Sequence, residues 1–247
     1  MADRWRGWCL LRPGVLLYGG TIGTNQLHAH HAVHLIVSAE PFTMADAHGR
    51  RVTTRTAVVP PDTGHTIIAG AHGALLAQLE PSGSAARSLL ARSGAGAEAP
   101  TWSPPCEGRP AFAGVAEAGA ALKVVEDWTG TRGAAEPAMH PAVERAIEVI
   151  PTLLAGGPVR LGVVADAVHL SPSRLAHLFS AQVGIPLRPY VRWRRIQHAI
   201  TSVAAGESLT TAAHGAGFTD GAHFSRVFRR NFGAAPSTLA AAIDWLP

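Results

Sequence analysis

Two 14-residue stretches repeat one pattern, and this repeat constrains the fold more than any other feature. Residues 171–184 read SPSRLAHLFSAQVG and residues 220–233 read DGAHFSRVFRRNFG, so equivalent positions lie 49 residues apart. In the first stretch Ser171 is a candidate N-cap. Leu175 and Phe179 have the spacing that places side chains on one face of a helix. Each stretch therefore predicts a short amphipathic helix.

The second stretch keeps this layout, with Asp220 at the cap position, Phe224 and Phe228 at the apolar positions, and Arg226 where His177 stands in the first. Each stretch follows a short helix-like run and a turn. Two helix-turn-helix units in tandem are therefore predicted. A duplicated helical hairpin of a solenoid is the alternative, but solenoids need about three copies.

Positive charge is concentrated in the second half of the chain. Residues 158–232 contain nine arginines and three acidic residues, whereas the preceding residues contain twelve basic and thirteen acidic ones. A near-neutral half joined to a basic half is typical of a sensing domain attached to a DNA-binding domain. A merely soluble, basic helical domain is the alternative.

The helix predicted between the two units, residues 187–204, has an apolar stripe that includes Tyr190 and Ile196. Its length is roughly 25 Å. Once the widths of the two recognition units are included, this length can hold them about one DNA turn, roughly 34 Å, apart. Its three clustered arginines have two alternative roles, as phosphate contacts or as solubilising charges: Arg192, Arg194 and Arg195.

The first 79 residues alternate short apolar runs with Gly, Pro, Asp and Asn, a pattern typical of strands in a barrel or jelly roll. The predicted strands are an N-terminal one and residues 15–18, 27–38, 51–59 and 74–79. Helices are predicted at residues 84–92 and 111–128, a loop at 93–110, a linker at 129–137 and a further helix opening at His140. The predicted fold class is α+β.

The composition also excludes several classes of protein. No apolar run approaches the roughly 20 residues of a membrane span, and Arg12 and Pro13 interrupt the N-terminal run, which we interpret as a strand rather than a signal peptide. Cys9 and Cys106 make no disulfide framework, so a cytoplasmic location is expected. Without a Ser-His-Asp or Cys-His pattern or a phosphate loop, neither an enzymatic activity nor a cofactor is expected.

The second half contains a specific series of motifs: LSPSRLAHLF at 170–179, GFTD at 217–220, FSRVFRR at 224–230, FG at 232–233, and Pro236. About 100 residues, from His140 to Leu239, resemble the DNA-binding domain of the AraC/XylS family of bacterial transcription regulators. The resemblance implies a regulator with a cupin-like N-terminal barrel or jelly roll. The implied domains are a sensor and dimerisation domain at 1–128, a linker at 129–139 and a tandem helix-turn-helix domain at 140–247.

The resemblance also implies which residues contact DNA: Ser173, Arg174, Ala176 and His177 in the first helix, and Ala222, His223, Ser225, Arg226, Arg229 and Arg230 in the second. Arg226 has the strongest physical case for reading a base, because a guanidinium can grip guanine O6 and N7 together. A phosphate contact is the alternative for Arg226. Arg229 and Arg230 are expected to contact phosphates.

The expected partners are double-stranded DNA, a small-molecule effector, a second copy of the chain and, for an activator, RNA polymerase, with no membrane. His28, His30 and His34 share one face of the predicted strand, and with His65 they would make a nitrogen-rich site for Zn, Ni, Cu or Fe. A polar ligand pocket or surface histidines are the alternatives, and the prediction is no metal. A metal-dependent cupin enzyme or metal-binding module fused to a DNA-binding domain is the second functional hypothesis.

Overall fold

The computed structural model describes residues 4–12, 14–81, 83–104, 118–130, 139–155, 157–183, 185–240 and 242–246. The chain forms two compact units. The first, here called the β unit, combines Met1–Ala135 with Val227–Pro247, and the second, the helical unit, is Glu136–Arg226. The last 21 residues therefore cluster with the N-terminal half.

In the described part of the chain, the β unit contains a seven-stranded sheet. Its strands are Arg6–Arg12 (β1), Val15–Ile22 (β2), Val33–Asp46 (β3), Arg51–Val59 (β4), His65–Ala69 (β5), Ala71–Leu79 (β6) and Ile243–Leu246 (β7). The strand order is β4-β3-β6-β2-β1-β7, with β5 paired to β3. β1 and β7 run parallel, and the other pairs are antiparallel.

Both faces of this sheet are covered by apolar side chains. Successive residues of a strand point to opposite faces. Leu35 accordingly belongs to one buried cluster and Ile36 to another. The first cluster includes Leu89 of α1 (Ser84–Ser93) and Trp128 of α2 (Ala118–Thr129). The second includes Trp102, at the end of a short 3-10 helix, Ala99–Trp102. The uninterrupted apolar runs of β3 and β6 follow from burial on both sides.

The strand predictions were confirmed in part. β4 has the predicted bounds, but the predicted strand 27–38 is wrong at its start, because β3 begins at Val33 and continues to Asp46. Pro41 does not end this strand, since it lies where the register with β4 shifts, between Val37 and Phe42. β5 and β7 were not predicted. Closure into a cupin-like barrel stays a prediction.

The helices after residue 139 are Pro141–Ala155 (α3), Leu161–Ala167 (α4), Pro172–Val183 (α5), Leu187–Ala204 (α6), Leu209–Gly215 (α7), Gly221–Phe232 (α8) and Pro236–Ala240 (α9). In the helical unit, α3 to α6 share a core that contains Val164, Leu175, Phe179 and Tyr190. The rings of Phe179 and Tyr190 meet edge to face at 5.2 Å. The predicted helical residues 111–117 and linker residues 131–137 lie outside the described residues. Among the described helices, none is long and apolar enough to cross a membrane.

Candidate nucleic-acid interface

The first helix-turn-helix unit consists of α4, a four-residue turn and α5. The turn passes through His169, whose φ of +56° lies in the left-handed region. Ser171 then caps α5, because its Oγ accepts a hydrogen bond from the N–H of Arg174 at 3.2 Å and its carbonyl accepts from Leu175 at 2.9 Å. The predicted N-cap is confirmed, and it fixes where α5 begins.

The two faces of α5 are as predicted from its sequence. Leu175, Phe179 and Val183 are buried in the helical unit. On the outer face, three of the four predicted DNA contacts are exposed, namely Ser173, Arg174 and His177. The fourth, Ala176, is half-buried. The helix therefore presents a short side-chain surface without any acidic residue.

The second unit repeats this geometry with α7 and α8. Gly217 turns the chain with a φ of +76°, and Phe218 packs on Phe224 with ring centroids 5.1 Å apart. Asp220 caps α8, since its Oδ1 accepts from the N–H of His223 at 2.6 Å. This hydrogen bond, with the positive charge of Arg226 nearby, holds the pKa of the Asp220 carboxyl below its ordinary value. The predicted cap is confirmed here too.

On α8, four predicted DNA contacts are exposed: Ala222, Arg226, Arg229 and Arg230. Ser225 and His223 are half-buried. The His223 ring packs edge to face against Phe218, with centroids 5.5 Å apart. His223 is thus partly engaged within the unit, which makes it a weaker candidate for reading a base than Arg226.

Arg195 of α6 has a structural role that neither sequence alternative anticipated. Its Nη2 donates to the carbonyl O of Gly157 at 3.4 Å, and the guanidinium also lies beside Gly217, at the turn of the second unit. Burial lowers the pKa of this guanidinium. Arg194 donates to Oε1 of Gln197 at 3.0 Å. Arg195 therefore connects α6 with the segment before α4 and with the turn before α8.

The predicted metal candidates come together in the β unit, although not along one strand. His28 and His30 precede β3, and a backbone bridge pairs His28 with His65. Burial lowers the pKa of His28 to about 4 and that of His65 to about 3. Burial, reinforced by the neighbouring imidazoles, also holds the pKa values of His30 and His34 well below the ordinary value. All four rings are therefore neutral near pH 7.

Comparison with known proteins identifies the part of the chain that carries the two units. Residues 164–242 match the family described as a helix-turn-helix domain. They are an AraC-type helix-turn-helix domain. The helix-turn-helix domain is also similar to the arabinose operon regulatory protein of Escherichia coli (strain K12), with 36% identity over 109 residues. That match covers 44% of this chain and 37% of the relative, so the chain spans well under half the length of that protein.

Solved structures extend the likeness in fold to almost the whole chain. An apo point variant of ToxT from Vibrio cholerae strain SCE256 superposes with a TM-score of 0.55 and 11% identity, covering 93% of this chain and 97% of ToxT. Wild-type ToxT from the same strain, with an unsaturated fatty acid bound, gives a TM-score of 0.52 and 12% identity over 94% and 96% of the two chains. At this identity the likeness shows the fold alone. It confirms an N-terminal β domain followed by a C-terminal region of helices that includes the helix-turn-helix domain.

Proposed function

We propose that this chain is a sequence-specific DNA-binding transcription regulator. The observation that carries the proposal is the repeated geometry of α5 and α8. Each helix begins at a capping side chain, buries an apolar face (Leu175, Phe179 and Val183 in α5, Phe224 and Phe228 in α8) and exposes a face without any acidic residue. Short helices of this kind fit the DNA major groove, where their exposed side chains reach base edges.

The exposed residues divide by position into two roles. The base-reading group lies in the first half of each helix: Ser173, Arg174, Ala176 and His177 in α5, and Ala222, His223, Ser225 and Arg226 in α8. Arg229 and Arg230 lie in the last turn of α8, where a long basic side chain contacts phosphate and positions the helix. Arg226 is the strongest determinant of sequence preference in this scheme.

The further partners rest on the relatives. The bound fatty acid in ToxT supports a small-molecule effector as the signal for this chain. A homodimer, and contact with RNA polymerase if the protein activates transcription, are part of the same proposal. The alternative is a metal-dependent cupin enzyme or metal-binding module fused to a DNA-binding domain. Its enzyme form is less well supported, because the first relative compared above is named as a regulator.

The proposal is tested by selection from random duplexes with the full chain. We expect enrichment of a motif whose two conserved segments are about 10 base pairs apart, as two recognition helices on one face of DNA require. Recovery of the same sequence population as a no-protein control would overturn the proposal. The enriched duplex also supplies the specific probe for the titrations described in the Discussion.

A further inference from the structure

Four buried histidines converge in the β unit, and no role in DNA binding uses them. His28 and His30 lie in the segment before β3, His34 is the second residue of β3, and His65 is the first residue of β5. Each of these residues is at most 6% exposed. The candidate ligand nitrogens of His28, His30 and His65 all lie within 4.8 Å of one another.

Main-chain hydrogen bonds fix which nitrogen carries the hydrogen in three of the rings. In each, Nδ1 lies within 3.1 Å of a carbonyl oxygen, and the pairs are His28 with Gln26, His30 with Ala32 and His65 with Thr63. A carbonyl oxygen only accepts, so each neutral ring keeps its hydrogen on Nδ1 and has an unprotonated Nε2. Proteins commonly orient the imidazole ligands of a metal in this way.

His34 completes the cluster as a fourth ring. Its Nδ1 lies 3.3 Å from Nε2 of His30 and 3.4 Å from Nε2 of His65, and one Nδ1 hydrogen cannot fully satisfy both acceptors. Nε2 of His34 is buried without a hydrogen-bond partner in the described part of the chain. With Zn–N distances of about 2.0–2.1 Å, tetrahedral ligand nitrogens are about 3.3–3.4 Å apart. The two distances from Nδ1 of His34, to Nε2 of His30 and to Nε2 of His65, match that tetrahedral separation.

The ligand chemistry narrows the choice of ion. Imidazole nitrogens suit Zn²⁺, Cu²⁺, Ni²⁺ and iron, whereas Ca²⁺ and Mg²⁺ require oxygen ligands. We infer that His28, His30, His34 and His65 form a binding site for one transition-metal ion, with Zn²⁺ the best match to the tetrahedral spacing. This inference is independent of the proposed function, because none of the four residues belongs to the recognition helices.

Metal retention by the full chain is the direct test. The protein is stripped with a chelator, loaded with Zn²⁺, desalted and measured by atomic spectroscopy, and a parallel sample is loaded with Co²⁺. We expect about one equivalent of zinc per chain and the intense visible bands of tetrahedral Co²⁺. No retained zinc, or only the weak bands of six-coordinate cobalt, would overturn the inference.

Two variants assign the metal to this cluster. His30→Ala and His65→Gln each remove one ligand, so zinc affinity should fall by at least about 100-fold, more than loss of an outer hydrogen-bond partner causes. His198→Ala is the control, because His198 is exposed on α6 in the helical unit. The His198→Ala variant should still bind about one equivalent of zinc per chain. A folded cluster variant with unchanged zinc affinity would refute the assignment.

Folding of each variant is monitored by circular dichroism and thermal melting. If neither cluster variant folds, the unmodified chain decides the question. Zinc should then raise its melting midpoint, a chelator should reverse that rise, and the cobalt spectrum should be tetrahedral. If zinc does not raise the melting midpoint and the cobalt spectrum is not tetrahedral, the metal site is refuted.

Discussion

A methyl group at Gly233 would lie 2.8 Å from Nδ1 of His28, and closer still to the carbonyl O of Gln26. The N–H of Gln26 in turn donates to the carbonyl O of Gly233 at 3.0 Å, and the N–H of Ala29 donates to the carbonyl O of Arg230 at 3.3 Å. These bonds satisfy carbonyl groups at and just after the C-terminal end of α8. The segment that carries two of the clustered histidines is thus joined to the residues where α8 ends.

Gly233→Ala should therefore weaken zinc binding, although residue 233 is not a ligand. The new methyl group would displace His28, and we expect about a 10–100-fold loss of zinc affinity, as for changes beside a metal ligand. Competition with a chromophoric chelator measures the affinity.

Gly94→Ala is the matched control for that variant. Gly94 has a φ of +65°, against +67° at Gly233, but a methyl group there meets nothing within 4 Å. Both variants carry the same backbone strain, and only Gly233→Ala adds the steric conflict. Equal zinc affinities for the two variants would show that the contact with His28 does not support the site.

Arg226→Ala and Arg230→Ala should weaken DNA binding in different ways. Loss of a bidentate guanine contact at Arg226 should remove about 1–3 kcal/mol of discrimination between the selected duplex and a scrambled one. Loss of a phosphate contact at Arg230 should weaken both duplexes about equally and reduce the salt slope by about one. Fluorescence anisotropy titrations at several salt concentrations distinguish the two. Equal losses on both duplexes for Arg226→Ala would disprove its base-reading role.

Arg195→Ala should destabilise the helical unit rather than change sequence preference. The substitution removes a charged donor from the Gly157 carbonyl, a loss of about 1 kcal/mol. Arg188→Ala is the control, because Arg188 is exposed on the same helix. Thermal melting compares the two variants. If Arg195→Ala melts like Arg188→Ala yet loses sequence discrimination, Arg195 contacts bases instead.

The cap of α8 should make stability depend on pH in the acid range. Because the hydrogen bond from His223 lowers the pKa of Asp220 in the folded chain, the carboxylate stabilises the fold above the ordinary aspartate pKa of about 3.9. That contribution is lost as the pH falls through the folded value. Asp220→Asn keeps a capping oxygen without the charge, so the difference in melting midpoint between the two proteins should shrink with acidification. A difference independent of pH would contradict this account.

The recognition helices were predictable because local signals decide them. Ser171 and Asp220 are caps, and the apolar spacing of Leu175 with Phe179 and of Phe224 with Phe228 requires only helical geometry. These features hold whatever surrounds the helices. The sequence therefore predicted which faces point outward.

Tertiary contacts decide the features that were missed. His28 and His30 reach the cluster from a segment outside the strand, through pairing with His65 from a distant part of the chain. The engagement of Arg195 with Gly157 and Gly217 likewise depends on how α6 packs. No local periodicity encodes such contacts. The sequence predicted that His28, His30 and His34 lie close together because they share one face of a strand, whereas in the structure His28 and His30 lie before β3 and only His34 belongs to that strand.

The pairing of β7 with β1 has a practical consequence for truncation. Gly7 to Leu10 align with Ile243 to Leu246, so the final residues of the chain cover an outer strand of the N-terminal sheet. A fragment that ends at Ala135, where the first segment of the β unit ends, lacks β7. In such a fragment β1 has unpaired N–H and C=O groups along its outer edge, and such an edge readily pairs with a strand from another molecule. Self-association of such a fragment would be an artefact of the cut, and dimerisation is properly measured on the intact polypeptide.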